Sequence, residues 1–71
     1  MDPKHRETIL AFADCNMNIR ETARRLYFGC TTISYRLGKI HELYGLDPRN
    51  FYDLCKLVEM AKEGADEEDS E

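Results

Sequence analysis

Apolar residues recur three and four positions apart along most of this chain, and nowhere do they alternate with polar ones over the length of a strand. That period belongs to helices with one buried face. The first such stretch covers about residues 3–14, with Ile9, Leu10, Phe12 and Ala13 on the inner side. Asp2 is placed to cap it, and Pro3 suits the first helical position, where no amide hydrogen bond is lost. "CNMN" ends the stretch, since Asn16 tolerates the left-handed conformation that closes helices. Asn18 opens a second, shorter helix, with Glu21 at capping-box spacing. Ile19, Thr22, Ala23 and Leu26 share its inner face, Ala23 being small where two crossing helices come close, and Arg20, Arg24 and Arg25 project away.

"YFGC" reads as a turn, with Gly29 as the N-cap of a third helix over about residues 30–43. Phe28 and Ile33 have the spacing of a hydrophobic staple. Ile33, Leu37, Ile40 and Tyr44 form the inner stripe. At 100° per residue, Thr31, Ser34, Tyr35, Gly38 and Glu42 point the other way. Gly45 fits a left-handed helix end, with Leu46 folding back. "DPRN" starts the last helix, whose core face is Phe51, Leu54, Leu57, Val58 and Ala61, and which is expected to fade near Gly64. Phe12, Phe28 and Phe51 are all assigned to the core. The pattern therefore predicts an all-α domain of four helices, residues 1–62, in which residues 18–40 have the outline of a helix-turn-helix.

Charge changes this picture in one respect. The net charge of −4 argues against a nucleic-acid partner until its distribution is considered. Residues 63–71, "EGADEEDSE", hold six of the fourteen acids and no base, and read as an acidic, disordered tail. The preceding residues 1–62 carry ten Lys/Arg against eight Asp/Glu, a balance of +2. Residues 18–41 hold five bases and one acid, so the basic charge is concentrated on the helix-turn-helix.

Other chemistry is sparse. Seventy-one residues build one small domain and no roomy catalytic cleft. There is no nucleophile–base constellation, no pair of carboxylates in a cleft and no phosphate-cradling loop, so an enzyme is not expected. Cys15, Cys30 and Cys55 cannot all pair within one chain and match no zinc spacing. His5 and His41 lack partners at ligand spacing, so neither metal nor cofactor is expected. Reduced thiols, and the lack of an apolar run long enough for a signal peptide or membrane span, predict a cytoplasmic protein without membrane contact.

Three ordered strings then carry a resemblance: "NxNIxETAxxLY" from Asn16 to Tyr27, "TxxYRLxKIxEL" from Thr32 to Leu43, and "GLDPRNFYDLxKL" from Gly45 to Leu57. Over residues 8–63 the chain resembles the C-terminal helix-turn-helix domain of PucR-type transcriptional regulators, and most of all their sugar-diacid (CdaR-like) branch. The resemblance implies a four-helix DNA-binding unit, double-stranded DNA as partner, and a sensor domain upstream in a longer regulator; helix-turn-helix docking adds the expectation of a homodimer, two copies reading two half-sites. The abrupt start "MDPKH" agrees with a piece of a longer chain. Regulators of this kind read "HRNT" into the recognition helix where this chain has "GCTT", residues 29–32. Thr32, Tyr35 and Arg36 match the family; Gly29, Cys30 and Thr31 stand in place of His, Arg and Asn. Arg and Asn each make paired bonds to bases, worth about 1–3 kcal/mol of discrimination.

On this reading the DNA-binding residues are Arg20, Arg24, Cys30, Thr31, Thr32, Ser34, Tyr35, Arg36 and Lys39. Arg20 and Arg24 hold phosphates beside the third helix, and the hydroxyls of Thr31, Thr32, Ser34 and Tyr35 donate to phosphates or bases. Each has a plainer counterpart. The arginines also suit a solvated helix face, with Arg25 paired to Glu21. Arg36 is equally a backbone clamp or a structural arginine lying over the core, and Lys39 is the freer cation of the two. Cys30 at a helix N-terminus is a candidate reactive thiol, although most such cysteines are inert. The competing function is a helix-turn-helix-shaped protein-interaction module whose DNA readout is weak or lost, an idea that the acidic tail and the modest base-reading set favour.

Overall fold

Four helices form in the computed structural model, which describes the backbone of residues 1–69 and the side chains of residues 1–63. They are α1 (Pro3–Asp14), α2 (Ile19–Leu26), α3 (Cys30–Tyr44) and α4 (Phe51–Asp69), and no strand occurs among the described residues. The helix boundaries follow local chemistry. The Lys4 N–H donates to Asp2 Oδ1 at 2.8 Å and Pro3 occupies the first turn of α1. The Glu21 N–H donates to Asn18 Oδ1 at 3.0 Å. Half of the expected capping box is thus present; the Asn18 N–H donates instead to the Cys15 carbonyl at 3.1 Å. Asn50 caps α4, accepting from the N–H groups of Tyr52 and Asp53 at 3.0 and 3.1 Å. The "DPRN" segment is therefore the turn that precedes α4, with Pro48 fully buried in it.

α1 is the organising helix, lying against each of the other three. α2 crosses α3 where Ala23 is buried, and α4 lies along α1. Ile9 and Phe12 of α1 meet Ala23, then Ile33, Leu37 and Ile40 of α3, then Leu54, Leu57 and Ala61 of α4 in one continuous core. Ile33, Leu37 and Ile40 of the predicted α3 stripe are each at or below 1% exposure, while Tyr44 at its end is half-buried against the core.

Three expectations change. Phe51 is 61% exposed, because it is the first residue of α4 and lies beyond the depth of the core; its ring meets Tyr52 edge to face at 5.5 Å. Phe28 is 39% exposed and does not act as a buried staple over Ile33, for a reason that belongs to the turn it occupies. α4 also continues past Gly64, where it was expected to fade. One glycine costs about 1 kcal/mol, which the Ala, Glu and Lys residues around it can outweigh. Of the acidic tail, residues 63–71, the side chains of residues 64–71 and the backbone of residues 70 and 71 lie outside the described residues, and the expectation of a disordered end falls mostly on them.

Candidate nucleic-acid interface

The α2–turn–α3 unit is closed by backbone bonds before any side chain contributes. Tyr27 adopts a left-handed conformation (φ 61°, ψ 39°), which directs its N–H back to the carbonyls of Ala23 and Arg24. The Phe28 N–H follows, donating to the Ala23 carbonyl at 2.9 Å. Two end carbonyls of α2 are thereby satisfied and the chain is turned sharply into α3. Gly29 caps α3 through its extended backbone alone, with no side-chain bond. α2 is pinned at its other end, where Thr22 Oγ1 donates to the Asn18 carbonyl at 2.7 Å.

Arg36 decides how this unit is held. Its Nη1 donates to Thr8 Oγ1 of α1 at 3.2 Å, and its guanidinium lies 4.4 Å from the centre of the Phe28 ring. Thr8 is fully buried and itself donates to the Lys4 carbonyl at 2.8 Å. One half-buried arginine therefore joins α1, the turn and α3. It also keeps Phe28 at the surface as the underside of a cation–π contact. Of the two roles open to Arg36, the structural one is occupied. Thr8 drew no functional assignment from the pattern; the available signal was a polar residue one helical turn before Phe12, on the apolar stripe of α1.

The remaining site residues divide by depth. Cys30, Thr31, Tyr35 and Lys39 are exposed on α3, while Thr32 and Ser34 are half-buried on its flanks. Tyr35, at 67% exposure, is the largest side chain of this outward row. Arg20 and Arg24 are exposed on α2. Arg24, not Arg25, takes Glu21, at 3.6 Å; Arg25 reaches Asp14 across the α1–α2 connection at 3.3 Å. The side chain of Asp14, at the end of α1, offers Arg25 a partner that sequence spacing along α2 does not reveal. Lys39 is less free than expected, its Nζ standing 4.0 Å from Glu42 Oε1. Pairs this exposed contribute at most about 1 kcal/mol and exchange readily for another anion. Arg20 has no ion pair or hydrogen bond among the described residues. Three exposed cations, Arg20, Arg24 and Lys39, thus accompany an outward face made of hydroxyls and short side chains.

No cluster of His, Cys, Asp and Glu suited to a metal ion occurs among the described residues, and the three cysteines are unpaired. No helix among the described residues is long and apolar enough to cross a membrane. An apolar groove of about 420 Å³ runs between Ala13, Met17 and the start of α4 at Phe51 and Leu54, and neither α2 nor α3 lines it. A family model described as the PucR C-terminal helix-turn-helix domain matches residues 5–60. No curated protein and no solved structure matches the chain.

Proposed function

The chain belongs to the PucR C-terminal helix-turn-helix family, a DNA-binding class of transcriptional-regulator domain, and from that premise we propose that α3 enters the major groove while α2 holds the phosphate backbone beside it. The observation that carries the reading is the pairing of a buried, fully packed inner face of α3 with an exposed outer face flanked by Arg20, Arg24 and Lys39. Cys30 and Thr31 lie at the N-terminal end that enters the groove, and the free amides of that first turn favour an anion. Thr31, Thr32, Ser34 and Tyr35 donate to phosphates and bases, and Arg36 supports the helix from behind. With no Asn, Gln or free Arg on the outer face, the domain holds the DNA backbone more than it reads bases. Two copies on two half-sites, an upstream sensor domain, the sugar-diacid branch of the family and a cytoplasmic location complete the proposal.

Arg20→Ala and Arg24→Ala test it. Each is expected to weaken binding of unrelated duplexes alike and to lower the salt dependence by a slope of about 0.9. Loss confined to one duplex sequence would assign these residues to base reading instead. The second reading, a protein-interaction module, is favoured by one observation, the exposed Phe51–Tyr52 pair beside the apolar groove. It predicts that both arginines are neutral and that no duplex binds.

A further inference from the structure

We propose that Gly38 is the seating point of α3 on DNA, the place where one wall of the groove passes against bare helix backbone. This rests on the DNA-binding reading and deepens it. Gly38 lies midway along α3 on the exposed side. It is helical, without the positive φ that Gly45 adopts. A Cβ placed on Gly38 would meet nothing within 4 Å. Neither backbone geometry nor internal packing therefore calls for glycine here, although glycine weakens a helix interior. The space that it leaves open is outside the molecule.

The neighbours on the same line of the helix say what fills that space. Thr31 and Tyr35 precede Gly38 on the outward row, and both are exposed hydrogen-bond donors. Glu42 follows one turn later, also exposed. A carboxylate repels phosphate, so contact with the duplex has to end between Tyr35 and Glu42. Gly38 is the residue of the row between them. A sugar-phosphate strand leaving the groove at this point meets helix backbone rather than a side chain, which lets the N-terminal half of α3 sit deeper. Gly38 is thus a positioning residue, making room for contacts that others supply.

The test uses the full chain and a fixed duplex at low salt. Gly38→Ala and Gly38→Leu are titrated against that duplex by fluorescence anisotropy, and their thermal unfolding is followed in parallel. Gly38→Ala is expected to raise Tm by about 4–8 °C. It is also expected to weaken binding by on the order of tenfold, with Gly38→Leu weaker still. A merely structural role cannot produce these opposite signs. If both variants bind as tightly as the parent, Gly38 is an ordinary surface position and the proposal is overturned while DNA binding stands. If the parent binds no duplex at low salt, the reading beneath it fails and the seating role fails with it.

Discussion

Arg36 shows how far a residue's surroundings can redirect its chemistry. In sequence it is one of five bases in a basic segment; in the fold its guanidinium is shared between Thr8 and the Phe28 ring. A charged hydrogen bond and a half-exposed cation–π contact together contribute about 2–4 kcal/mol. Arg36→Met is expected to lower stability by about that amount, and Thr8→Val by a similar amount. The double variant should cost less than the sum, because the two side chains share one bond. Denaturant titrations of the four proteins check this; additive losses would mean that the contact contributes nothing. The contrast with Arg20, exposed and unpaired among the described residues, makes a second point. The same residue type on consecutive helices is structural in one place and exposed in the other, and burial distinguishes them.

Among the elements, α3 was the most legible from sequence and its turn the least. Ile33, Leu37 and Ile40 recur at helical spacing, and all three are buried as that spacing requires. Leu37→Ala is accordingly expected to cost roughly 2–5 kcal/mol by chemical denaturation, as truncation of a packed leucine does. A cost below about 0.5 kcal/mol would mean that the stripe is not buried. The caps Asp2 and Asn18 were also readable, because a cap bond joins near neighbours, whereas the pattern puts Asn50 inside the start of the last helix, which it caps instead. Arg36 with Thr8 and Arg25 with Asp14 were not, since these partners come from separate helices. Phe28 and Phe51 misled for a related reason: aromatic rings near helix ends satisfy the apolar pattern whether or not the core extends that far. The outer face of α3 permits a direct trial of the "GCTT" departure. Gly29 is open, with nothing within 4 Å of an added Cβ, and Cys30 and Thr31 are exposed. Gly29→His, Cys30→Arg and Thr31→Asn together should therefore leave the fold intact, raise affinity for duplex DNA and sharpen sequence preference across a fixed DNA panel. An unchanged preference would locate specificity elsewhere.

At the scale of the whole molecule, net charge and local charge act against each other. The chain carries −4 overall, while its helix-turn-helix carries five bases and one acid over residues 18–41. Six acids lie in residues 63–71, after Ala61, the last buried residue among those whose side chains are described. Truncation after Lys62 is expected to leave Tm nearly unchanged and to tighten DNA binding at low salt, an effect that fades as ions screen the tail. Marked loss of stability would make the end of α4 structural. On the proposed reading this domain holds duplex DNA chiefly by the phosphate backbone, through the few cations that the fold leaves exposed, Arg20, Arg24 and Lys39. The most direct test is the salt dependence of duplex binding by the full chain, followed by fluorescence anisotropy on several unrelated sequences. The account predicts that all of them bind at low salt with similar affinity, and that log K falls against log salt with a slope of about −2 to −3, for the contacts of Arg20, Arg24 and Lys39. Absence of binding to every duplex at low salt, or binding with a slope near zero, would contradict it.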